Sequence, residues 1–201
     1  MGKEILLDVR QKSIIKISLN NFIEYVDDYF LDLLGYDLTD FVSKPPQTVC
    51  HPDMPVIIHE TIARYILNRQ EGIAVLKHAT RSGDYVWAFT LYKPRYNPDG
   101  TLESFVTYRK PVPNKKLKGD EKSLKESVAK LYSILKSIEE HSGIEVSKKY
   151  LEGFLEDQGL SSLEDYYMKF FEFNKKELLK YFNIDQNTSE LVIRKYLNPA
   201  Q

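Results

Sequence analysis

The sequence predicts an α+β fold, with five strands and short helices in the first half of the chain and helices alone in the second. Three observations carry this. Up to residue 111, runs rich in Ile, Val, Phe and Tyr are broken by turns containing Asn, Gly or Pro. Between them, "MPVIIHETIARYILNRQEG" repeats apolar residues at Ile58, Ile62, Tyr65 and Ile66, the period of a helix. At "KPVPNKKLKGDEK" the composition shifts to Pro, Lys and Gly without apolar period, and beyond it only helical patterns follow.

Taken in order, "SIIKISLNNFIEYV" predicts strands near 13–18 and 22–26 around Asn20-Asn21, since Asn tolerates the positive φ of a hairpin turn. "DDYFLDLLGY" places Phe30, Leu33 and Leu34 at helical spacing and stops at Gly35, and "DLTDFVSK" adds a further turn. A longer helix follows over 54–68. Three strands come next, "IAVLKHAT", "DYVWAFTLYKPRY" and "LESFVTYRKPV", joined by the turns "RSGD" and "NPDGT". In the second half, "SLKE" at 123, "SSLE" at 161 and "NKKE" at 174 each offer a cap and a return carboxylate, and Gly143 and Gly159 stand where helices end. Three to five helices are expected over 120–198, with Phe154, Tyr167, Phe170, Phe171 and Phe182 in their core.

Composition removes several function classes. Residues 1–113 carry 13 basic and 14 acidic side chains and residues 114–201 carry 15 of each, so neither half offers a nucleic-acid surface. No run approaches the 18 or so apolar residues of a membrane span, and "MGKEILLDVRQKS" is too charged for a signal peptide. A cytoplasmic protein is therefore expected. One cysteine excludes an internal disulfide, a CxxC site and a CxxCH haem attachment.

Four segments carry a resemblance. "FIEYVDDYFLDLLGY", "VCHPDMP", "RSGDYVWAF" and "VTYRKP" stand in an order and spacing similar to PAS domains of bacterial aerotaxis receptors, over about residues 13–111. The resemblance implies a five-stranded antiparallel sheet cupping a ligand against its helices. It also implies FAD, held non-covalently, whose redox state is the signal. Carried over by residue, His51 and Asp53 keep their places in the family's Arg-His-Pro-Asp segment, and Trp87 follows the Gly-Asp turn. The chain departs from the family at four positions: Cys50 replaces arginine, Asp27 and His78 replace asparagines, and Gly72 replaces a tryptophan. Neither aspartate nor cysteine matches the hydrogen-bonding repertoire of the residue it replaces. A pocket is expected between the 54–68 helix and the sheet, with Asp27, Cys50, His51, Asp53, His78 and Trp87 as its binding residues.

The residues allow other readings of the same positions. Cys50 and His51 are adjacent in an extended segment, so their side chains diverge and the geometry disfavours a nucleophile–base pair. Asp53 can cap the helix that opens at Met54-Pro55. His59 or His78 could serve haem iron, which leaves haem, or no cofactor, as alternatives to FAD. No His or carboxylate spacing suits a protein-only metal site. Tyr85 and Trp87 share one sheet face, as a stacking platform or as core.

The expected organisation is a PAS sensor over 1–113, a linker over 114–120 and a helical domain over 121–201, together a cytoplasmic signal-transduction protein. It carries no catalytic motif, binds a small-molecule ligand or redox cofactor, and signals without covalent chemistry. The alternatives are a ligand-free module for dimerisation or partner docking, and an enzyme using the pocket. Leu124, Val128, Leu131, Leu135 and Ile138 form a heptad-like stripe on the 121–141 helix. Either this stripe pairs with its own copy in a homodimer, or the C-terminal helices of the same chain bury it.

Overall fold

Residues 2–114, 122–171 and 175–184 are described by the computed structural model. The side chain of Phe171, the expected cap at Asn174, most of the expected linker and everything beyond residue 184 lie outside the described residues. The hairpin β1 (Ser13–Ser18) and β2 (Ile23–Val26) turns through Asn21 at φ 60°, as its Asn pair requires. Helix α1 (Asp28–Leu34) is capped by the Asp27 carboxylate at its start and ends on left-handed Gly35. Two short 3-10 turns lead to α2 (Val56–Leu67), and then to β3 (Gly72–Ala79), β4 (Tyr85–Tyr96) and β5 (Leu102–Pro111). The strands pair in the order β2-β1-β5-β4-β3, and every pair is antiparallel.

Register assigns the two faces. His78 pairs Val86, Thr90 pairs Arg109, and Arg109 pairs Ser13, so these residues share the inner face with Leu76, Tyr92 and Ile17. Helices α1 and α2 cover that face. The opposite parity, Val75, Lys77, Trp87, Phe89 and Tyr108, forms the outer face.

That outer face is not left to solvent. Helices α3 (Leu124–Ser142), α4 (Ile144–Asp157), α5 (Leu163–Phe171) and α6 (Lys175–Tyr181) follow, and three of them meet the sheet. Phe89 packs against Phe182 with ring centroids 5.3 Å apart, Trp87 lies 6.1 Å from Tyr132 of α3, and α5 runs beside β3. Tyr132 donates a 2.9 Å hydrogen bond to the carbonyl of Val75, and its hydroxyl lies 2.6 Å from that of Tyr167. Buried residues from Leu7 to Ile184 accordingly form one hydrophobic cluster that includes both halves of the chain. Leu124, Val128, Leu131 and Leu135 of the heptad-like stripe are buried inside the protein, chiefly between α3 and α4. The stripe is therefore covered within the chain.

Two of the caps expected in the second half are described, and they hold with one shift. Ser123 and Glu126 form a reciprocal capping box at the start of α3. At α5 the Ser162 hydroxyl caps the Asp165 N–H, one residue later than the Ser161–Glu164 pairing the sequence suggests.

Candidate functional site

Residues 49–55 serve the edge of the sheet. β3 is an edge strand, and its free backbone groups would be open to pairing with another chain. Cys50 bridges His78, the His51 N–H donates to the Lys77 carbonyl at 2.8 Å, and the Lys77 N–H reaches the Met54 sulfur at 3.3 Å. The segment thus passes from the inner face to the outer one, and the residues expected to meet in one pocket divide between two places.

Cys50, His78 and Asp27 lie on the inner side. A cavity of about 20 Å³ there is lined by Cys50, His59, Ile62, Leu76, Tyr92 and Arg109 among others. Burial pushes the Cys50 thiol up to about 12, so it is neutral and not a nucleophile. His78 is fully buried with Nδ1 2.9 Å from the Val49 carbonyl, which makes Nδ1 the protonated nitrogen. Its Nε2 has no partner among the described residues, and burial pushes its pKa down to about 3. Asp27 spends its carboxylate on the N–H groups of Ile14 and Phe30, and burial raises its pKa. It joins the hairpin to α1 and does not line the cavity.

His51, Asp53 and Trp87 lie on the outer side. The His51 ring stands edge-on to Tyr85 at 6.1 Å, and Asp53 forms a 2.6 Å ion pair with Lys77 that lowers its pKa. Trp87, Lys77, Tyr132 and Lys136 line a groove of about 490 Å³ between the sheet and α3. Its cations are committed, Lys77 to Asp53 and Lys136 to Glu140. Asp53 does not cap α2. The Glu139 carboxylate of α3 does so, accepting the N–H groups of Val56 at 2.7 Å and Ile57 at 3.0 Å. Pro55 at the N-cap has no side-chain hydrogen bond to offer, so the first turn of α2 takes its acceptor from another element.

Two residues of the site escape the sequence reading. Arg109 has the inward parity of Phe105 and Thr107, but β5 is buried on both faces and carries polar and apolar residues on each, so the pattern hides which parity is inward. Glu139 sits 83 residues from Val56, and no local pattern announces the contact.

The inner face does not fit a flavin. Ligand pockets of that class occupy roughly 300–1,000 Å³, far above the cavity of about 20 Å³ here. A Cβ on Gly72 would stand 2.3 Å from the Tyr65 ring, so this ring fills the space that a side chain at the family's tryptophan position would enter. That volume does not suit haem either.

The sequence profile of the PAS fold matches residues 23–109. Residues 23–109 are a PAS domain. The Escherichia coli (strain K12) aerotaxis receptor is 24% identical over 91 residues, covering 45% of this chain and 18% of the receptor, so the match spans under a fifth of that relative's length. Similar solved structures include a light-oxygen-voltage domain studied with a flavin analogue, at 16% identity and a TM-score of 0.48, covering 61% of this chain and 85% of its own. The light state of the Aureochrome1 light-oxygen-voltage domain has 17% identity and a TM-score of 0.46, covering 50% and 81%. The light-state dimer of the fungal photoreceptor Vivid has 15% identity and a TM-score of 0.43, covering 49% and 76%. Among the described residues, no helix of the PAS domain or beyond it is long and apolar enough to cross a membrane, and no cluster of His, Cys, Asp and Glu could hold a metal ion.

Proposed function

We propose that the chain is a cytoplasmic signalling sensor whose PAS domain reads occupancy of its inner cavity by a small molecule and passes the state to its own C-terminal helices. The carrying observation is the Glu139 cap. Helix α2 lines the cavity through His59, Ile62, Ala63 and Ile66, and its first turn is held by a carboxylate from α3. A ligand that pushes α2 from within therefore strains a contact to α3 directly. Tyr132 and Trp87 sit at the other seam of α3, so a change in docking is felt at the outer face of the sheet.

The output in this reading is non-covalent and the chain is not an enzyme. A pocket nucleophile is lacking in Cys50, whose thiol stays protonated, and Cys50 and His51 diverge to opposite sides of the β3 edge. Of the candidate cofactors, neither FAD nor haem suits the cavity volume, and the ligand is taken to be a small non-chromophoric molecule. Homodimerisation or partner docking through the outer face is then conditional on α3 leaving it, which couples assembly to cavity state.

Trp87 is the sole tryptophan and reports the seam. Ala63→Leu, which fills the cavity from α2, is expected to shift Trp87 emission and to raise amide exchange in α3. Unchanged emission and unchanged α3 protection in a folded variant would contradict the reading.

A further inference from the structure

The structure assigns a ligand class to the inner cavity: we infer that Arg109 holds a small monovalent anion there. This rests on the reading of that cavity as the sensory site. Arg109 is 1% exposed at the middle of the inner sheet, and a guanidinium remains charged in any protein environment. A buried charge is strongly disfavoured unless it is paired. Among the described residues no carboxylate lies within ion-pair distance of Arg109, and Thr107 is its one hydrogen-bond partner, at 2.6 Å. Its Nε is buried without an acceptor, and its plane lies 5.4 Å from the Phe30 ring, which offers no anionic charge.

The groups around it leave this cation without a direct counter-ion. Cys50 and Tyr92 are held in their neutral forms by burial, and burial also favours neutral His59 and His78. Among the described residues Asp27 is the one carboxylate whose field reaches Arg109, and it acts from beyond ion-pair distance while accepting the N–H groups of Ile14 and Phe30. The cavity is thus a positive pocket that accommodates little more than one water-sized sphere. That volume selects a halide or a compact anion such as nitrite or formate and rejects larger carboxylates. Asn21 of the hairpin turn and Pro46-Gln47 also line the cavity.

The test is thermal unfolding of the full chain titrated with sodium nitrite, then sodium chloride, at constant ionic strength kept with sodium gluconate, an anion too large for the cavity. The expected result is a midpoint that rises and saturates, as binding to the folded state alone requires. Arg109→Met removes the charge while filling similar space, so it is expected to fold, to be at least as stable as the parent in gluconate, and to lose the saturating rise. Leu76→Phe, which occupies the cavity and leaves Arg109 in place, is expected to lose it as well. A parent without a saturating response, or an Arg109→Met variant that keeps it, overturns the inference. Trp87 emission separates this from the sensor reading: a nitrite response without any change in emission keeps the anion site and sinks the sensor, whereas a shift in Ala63→Leu without an anion response does the reverse.

Discussion

Glu139→Ala should loosen α2 locally while leaving the sheet intact. The substitution removes the side chain that accepts from Val56 and Ile57, and the Pro55 N-cap makes no side-chain hydrogen bond that could replace it. Loss of a capping acceptor costs about 1 kcal/mol. Loss of a negative charge at a helix N-terminus adds roughly 0.3–1 kcal/mol. Both amides are at least partly reachable by water, which keeps the total near about 1.5 kcal/mol, close to a tenfold change in a local equilibrium. Amide exchange followed by mass spectrometry should therefore show about tenfold faster exchange over residues 56–62, with β4 and β5 unchanged. Glu139→Gln, which keeps an acceptor and loses the charge, should fall between the two. Unchanged exchange at 56–62, or an equal rise across the sheet, would refute the assignment of Glu139 as the cap that ties α2 to α3.

Two further outcomes follow from burial. Leu131 is 3% exposed inside the chain, so Leu131→Glu should lower stability by at least about 3 kcal/mol in urea unfolding with molecular mass unchanged; a halved mass in light scattering with stability intact would instead make the stripe an interface between copies. His78 has its pKa depressed from 6.5 to about 3, so its neutral form is favoured by the fold, and the stability this reflects is present above about pH 6.5 and lost as pH falls towards 3. His78→Asn, which keeps a donor for the Val49 carbonyl, should flatten the stability profile in that window by up to about 1.4 kcal/mol per pH unit. His51 and His59, shifted the same way by burial, retain a residual slope. An unchanged slope in His78→Asn would count against the buried neutral imidazole.

Local chemistry was legible wherever one element carries its own signal. The Asn20-Asn21 turn, the Gly35 stop and the Ser123–Glu126 box could be read directly, because each is fixed within a few residues. The α+β order and the antiparallel sheet followed from them and from the motif resemblance. What the sequence hid are contacts between distant elements. Asp53 looks like the cap of α2 by position, yet Lys77 on the adjacent strand captures it and Glu139 takes its place. Trp87 and His78 look like members of one pocket by resemblance, yet the pairing of His78 with Val86 puts them on opposite faces. The stripe on α3 fits a dimer seam or a helical core equally well as a pattern, and the burial of Leu124, Val128, Leu131 and Leu135 within the chain favours the second.

In the proposed mechanism, cavity state reaches α3 through α2 and Glu139. A double-mutant cycle on Trp87 emission tests it most directly, combining Ala63→Leu with Glu139→Ala. Coupling through the cap predicts that Ala63→Leu shifts the emission in the parent and has little further effect once Glu139→Ala has cut the link. Equal shifts in both backgrounds would contradict it.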